Sequence, residues 1–132
     1  MKVLFVCSGN AHRSPLAEAL LKKLRPDLDV DSAGVRVAIP VSEGVKEYLI
    51  KGHAEGYLKE YPEGLDSKRI QQYDIIVAME QKHKDVISVK YPECQNRIVV
   101  WNIFDPYFAP NEHTEKIFEQ IRQKVKELAD SL

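Results

Sequence analysis

The opening segment KVLFVCSGNAHRSP constrains this chain more than any other stretch. KVLFVC (Lys2–Cys7) is a short apolar run of β-formers, suited to a strand buried on both faces, as in a parallel sheet. SGNAHR reads as a tight loop. Ser14 and Pro15 then open a helix, with Ser14 as N-cap, Pro15 in the first turn and Glu18 near the positive end of the dipole. Leu16, Ala19, Leu20 and Leu24 carry the helical period, and Pro26 stops it.

The same alternation runs on. Leu28–Gly34 reads as a second strand ending in a turn. Ser42 caps a helix whose apolar face is Val45, Tyr48 and Leu49, with Gly52 as its stop. Residues 53–65 are irregular, and Asp66 is placed to cap a short helix reaching Tyr73. DIIVAM (Asp74–Met79) is a third buried strand. An amphipathic helix follows with Val86, Ile87 and Val89 inward, ending at Pro92. RIVVW (Arg97–Trp101) is a fourth strand. A last helix from about Glu112 shows an apolar stripe of Ile117, Phe118, Ile121, Val125 and Leu128.

Strands alternating with helices predict a single α/β domain over residues 1–132: a four-stranded parallel sheet with helices on both faces. In such sheets ligands bind at the carboxyl ends of the strands. The loops after the first and fourth strands share that edge, so Cys7 and Asp105 are expected to meet.

The 132 residues suffice for a core without disulfide staples. A net charge of −1 excludes the basic surplus of a nucleic-acid or anionic-membrane binder. The two cysteines, Cys7 and Cys94, make no secreted framework. VLFV is too short for a signal h-region or a membrane span. A reduced, cytoplasmic protein is expected.

The loop chemistry is specific. Backbone N–H groups between a strand end and a helix N-terminus form an anion-binding nest, Ser8, Gly9, Asn10, Ala11, His12 and Arg13 being its phosphate-binding candidates. Gly9 supplies a backbone conformation closed to other residues, and Asn10 tolerates left-handed geometry while its amide braces the loop. Arg13 offers a planar fork for two phosphate oxygens. The same positive field favours a thiolate. Sulfur attack on phosphorus, giving a cysteinyl-phosphate that water hydrolyses, is the chemistry that fits. Ser14 is placed to donate a hydrogen bond to the sulfur. Asp105 in IFDPYF is the candidate acid for the leaving group and base for water. Tyr107 and Phe108 are candidate aromatic walls for a flat substrate. No metal or cofactor is required, since Arg13 and the amides supply positive charge.

These residues resemble the low-molecular-weight protein tyrosine phosphatases over essentially the whole chain. CSGNAHRSPLAEAL matches that family's phosphate loop and first helix, DSAG (Asp31–Gly34) the turn after its second strand, YDIIVAME (Tyr73–Glu80) its third strand, and DPY (Asp105–Tyr107) its general-acid loop. The resemblance implies a sheet of order 2-1-3-4, Cys7 as nucleophile, Arg13 as clamp, Asp105 as general acid, and Asn10 and Ser14 as supports. It also implies a monomer acting on a phosphorylated protein or small aryl phosphate, phosphotyrosine first. Nucleic acid and membrane are not expected partners.

The chain departs from the family in places. His12 stands where many members carry a second loop cysteine, so that disulfide switch is expected to be absent. Ala11 replaces a common Ile or Thr, which leaves arginine phosphate open. Val35–Pro40 and PEGL (Pro62–Leu65) differ at the rim. Arsenate reduction needs two further cysteines, and only Cys94 remains. A cysteine phosphocarrier needs neither Arg13 nor Asp105. His53, His83 and His113 are expected at the surface, and Cys94 is expected to be structural.

Overall fold

The structure, a computed structural model, describes residues 1–108 and 111–132. Its strands are β1 (Lys2–Cys7), β2 (Asp29–Gly34), β3 (Ile75–Ala78) and β4 (Ile98–Val100). They form one parallel sheet in the order β2-β1-β3-β4. The main helices are α1 (Arg13–Leu24), α2 (Glu43–Lys51), α3 (Gln81–Lys90) and α4 (Asn111–Ser131). No helix of the described residues is long and apolar enough to cross a membrane.

β1 runs through the centre, and Val3, Leu4, Phe5 and Val6 are fully buried. Strand alternation sends them to opposite faces. Val3, Phe5 and Cys7 join a core with Leu16 and Leu21 of α1, Leu49 of α2 and Ile121 of α4. Leu4 and Val6 join a second core with Ile87 of α3, Ile70 and Cys94. Phe5 also meets Trp101, their ring centroids 5.4 Å apart. Each such burial contributes about 1.5–3 kcal/mol. Cys7 therefore ends the most firmly packed strand, on the α1 side of the sheet.

Several local expectations change. Ser14 is not the N-cap of α1. The helix starts at Arg13, His12 occupies the cap without a side-chain bond, and the Ser14 hydroxyl is used elsewhere. Asp66 caps no continuous helix; two 3₁₀ turns, Leu65–Ser67 and Ile70–Gln72, stand there. Val89 is 83% exposed, because the ten-residue α3 buries only the stripe through His83 and Ile87. His83 is buried rather than at the surface, since the α3 N-terminus packs against the loop after β1. Ser42 does cap α2, accepting the Gly44 N–H.

Candidate active site

The loop after β1 packs directly on the turn that ends β2. Val35 N–H donates to the Cys7 carbonyl and Arg36 N–H to that of Ser8. A Cβ on Gly34 would lie 2.8–2.9 Å from backbone atoms of Ser8, Gly9 and Asn10, so only glycine permits this approach. The left-handed backbone in the loop belongs to Asn10, at φ 54°, and not to Gly9. A Cβ at Gly9 would make only ordinary contacts, so the expected conformational role of Gly9 fails. Among the described residues, no backbone N–H from Ser8 to His12 donates to a protein carbonyl.

Asn10 is fully buried beneath the loop. Its Oδ1 accepts from Lys59 Nζ at 2.9 Å and from the Glu63 N–H at 2.8 Å. Both partners can only donate, so the amide orientation is determined. Nδ2 therefore donates to Ser14 Oγ at 2.8 Å and Ser32 Oγ at 2.9 Å. Ser32 passes its own proton to Glu18 Oε1 at 2.6 Å. Ser14 Oγ, already accepting from Asn10, lies 2.9 Å from Cys7 Sγ, where its proton can serve a thiolate, which only accepts. The chain of donors ends on the sulfur.

Lys59 is itself buried, within 3.8 Å of Glu18 and Asp31 and 2.8 Å from Glu63. Lys68 joins Asp31 and Glu63 at 2.6 and 2.8 Å. Burial pushes the Glu63 carboxyl upward, but its bonds to Lys59 and Lys68 outweigh this and hold it below the usual carboxylate range. The irregular segment 53–65 thus supplies Lys59 under the loop, and Lys68 follows just beyond it.

Arg13 is buried at the start of α1. Its Nη1 donates to Glu80 Oε2 at 2.6 Å and to the Ile103 carbonyl at 2.8 Å, anchored where β3 and β4 end. Its Nη2 has longer contacts, 3.4 Å to both Ser8 Oγ and Asp105 Oδ2. Nη1 is committed to protein, whereas Nη2 faces the loop and the acid. The other Asp105 oxygen accepts the Tyr107 N–H at 3.0 Å.

Cys7, Ser8, Gly9, Ala11, His12 and Arg13 line one cleft of ≈390 Å³, with Asp105 and Tyr107 on its wall and Arg36 and Lys82 also lining it. The expected meeting of Cys7, Arg13 and Asp105 therefore occurs. Of the expected aromatic wall, Tyr107 lines the cleft; the Phe108 side chain lies outside the described residues. Burial lowers the pKa of His12, Asp105 opposes this, and Arg13 lowers it further. Among the described residues no cluster of three or more His, Cys, Asp or Glu could hold a metal. A larger cavity of ≈560 Å³ between α1, α2 and α4 touches none of these groups.

The family model described as low molecular weight phosphotyrosine protein phosphatase matches residues 2–132. The chain belongs to that family. Low molecular weight protein-tyrosine-phosphatase PtpB of Staphylococcus aureus is 31% identical over 143 residues, covering 98% of each chain. Among solved structures, Vibrio vulnificus Wzb in complex with benzylphosphonate superposes with a TM-score of 0.89 at 26% identity, covering 99% of this chain and 98% of that one. The YwlE arginine phosphatase from Geobacillus stearothermophilus gives 0.88 at 29% identity, covering 98% and 91%.

Four supporting residues escaped the sequence reading: Lys59, Ser32, Glu80 and His83. Glu80 and His83 had a readable signal, an acidic residue before a helix with a polar residue three positions on. Lys59 had none, because its segment shows no periodicity.

Proposed function

We propose that the protein hydrolyses phosphomonoesters on phosphorylated proteins, phosphotyrosine foremost, through a cysteinyl-phosphate on Cys7. One observation carries this reading: Cys7, its sulfur 2.9 Å from the buried Ser14 hydroxyl, shares a cleft with Arg13 and Asp105. In the first step the sulfur lone pair attacks phosphorus and the ester P–O bond breaks. Asp105 gives its proton to the departing oxygen. In the second step water attacks phosphorus, its proton returns to Asp105, and the P–S bond breaks. Inorganic phosphate leaves and the thiolate is restored. Ser14 eases that departure by donating to the sulfur, and the Nη2 edge of Arg13 gathers charge on the phosphoryl oxygens. For proton donation Asp105 exchanges its Arg13 contact for the ester oxygen.

Tyr107, on the cleft wall, favours an aromatic phosphate. Arginine phosphate is the second reading, left open by Ala11 and supported by the likeness to an arginine phosphatase. A disulfide relay for arsenate reduction gains no support. Cys94 is buried in the α3-side core, across the sheet from Cys7, with Arg97 Nη2 on its sulfur at 2.9 Å.

The deciding experiment compares turnover of phosphotyrosine, phosphoserine and phosphoarginine peptides, with a Cys7→Ser control. Phosphotyrosine is expected to lead and the control to be inert. Turnover persisting in Cys7→Ser refutes the mechanism; phosphoarginine leading replaces the substrate.

A further inference from the structure

His83 and Ser8 form a pair that the mechanism above does not use. His83 Nε2 lies 2.9 Å from Ser8 Oγ, and both residues sit beside Arg13. The direction of this hydrogen bond follows from the far side of the ring. The Glu80 N–H donates to His83 Nδ1 at 3.1 Å, so Nδ1 carries a lone pair. A neutral imidazole then has its proton on Nε2. Burial and Arg13 push the ring to about 4, against the pull of Glu80, so it is neutral near pH 7. Nε2–H therefore donates to Ser8 Oγ.

Arg13 Nη2, 3.4 Å from the same oxygen, can also only donate. A hydroxyl has two lone pairs and one hydrogen. Both lone pairs of Ser8 face donors, which leaves its hydrogen for a third partner. Ser8 lines the cleft next to Cys7. A free serine rotor accepts or donates at will, and this one is restricted to donating. Such a group suits a phosphoryl oxyanion, which only accepts.

We propose that the Ser8 side chain is a dedicated hydrogen-bond donor to the phosphoryl oxygens, and that His83 is the positioning residue that aims it. The proposal rests on reading the cleft as a phosphate site. It adds a side-chain donor to the backbone nest expected of the loop.

Two substitutions of His83 separate its roles. His83→Asn keeps an acceptor for the Glu80 N–H but falls short of Ser8. His83→Gln reaches Ser8 but gives up that acceptor. The readout is competitive inhibition by inorganic phosphate, with thermal melting measured alongside. Ser8→Ala and His83→Asn are each expected to weaken inhibition about five-fold, the measure of one neutral hydrogen bond. The double variant is expected to be no weaker than either single one. His83→Gln is expected to melt earlier while keeping most of the phosphate affinity. Unchanged inhibition in Ser8→Ala, or losses that add in the double variant, would overturn the proposal while leaving the phosphatase reading intact. A wild-type protein that phosphate does not inhibit would overturn the reading of the cleft itself, and this proposal with it.

Discussion

Lys59 Nζ lies 2.9 Å from the Asn10 side-chain oxygen, and with the Glu63 N–H it orients the amide whose nitrogen donates to Ser14, the neighbour of the Cys7 sulfur. The ammonium is buried among Glu18, Asp31 and Glu63. Lys59→Met removes the donor and leaves those carboxylates without it. Losing one partner of a buried ion pair costs about 3–5 kcal/mol. Urea unfolding is expected to show a loss in that range. The folded fraction is expected to turn over more slowly, because the Asn10 oxygen then keeps only the Glu63 N–H. Unfolding at the wild-type midpoint would refute the role.

The role proposed for Asp105 is at the leaving group, so the effect of losing it depends on what leaves. Asp105→Asn is expected to slow hydrolysis of a phenyl phosphate by about 10²–10⁴-fold, the span of general acid catalysis. The loss with 4-nitrophenyl phosphate is expected to be far smaller, since nitrophenolate departs without a proton. Steady-state rates on the two substrates check this. Equal losses on both would assign Asp105 to another task.

Gly34 has no room for a methyl group against the loop backbone. Gly34→Ala must push residues 8–10 outward, and overpacking of this kind costs about 1–3 kcal/mol. A lower melting temperature and weaker phosphate inhibition are expected together. Loss of stability with phosphate affinity retained would show that the loop tolerates the shift.

His83 also makes stability depend on pH. Its folded-state pKa, about 4, is lower than the ordinary 6.5. The unfolded chain therefore binds a proton between those values that the folded protein does not. The stabilisation is complete above pH 6.5, declines as pH falls from 6.5, and levels off near 4. Denaturation midpoints at pH 7 and pH 5 are expected to differ more in the wild type than in His83→Gln. His12, also lowered, acts in the same direction and keeps some slope in the variant.

What could be read directly from the chain is what depends on near neighbours. KVLFVC announced a buried strand through composition, and the Cys7-to-Arg13 spacing lies within one strand–loop–helix unit. Asp105 could be assigned because it follows the last strand, and parallel strands end on one edge. Val89 misled because α3 is short and only its His83–Ile87 side meets the sheet. Gly9 misled because the αL position passed to Asn10, whose side chain is held from below.

The sequence alone therefore determined the α/β class, the sulfur–guanidinium loop and the acid across from it. Packing decided the remainder. Lys59 reaches Asn10 across 49 positions, Glu80 reaches Arg13 across 67, and His83 reaches Ser8 across 75. No local period encodes such contacts. They arise because burying both faces of β1 forces the ends of three other segments under and around one loop. There each buried polar atom must find a partner, and those partners orient the hydroxyls of Ser8 and Ser14.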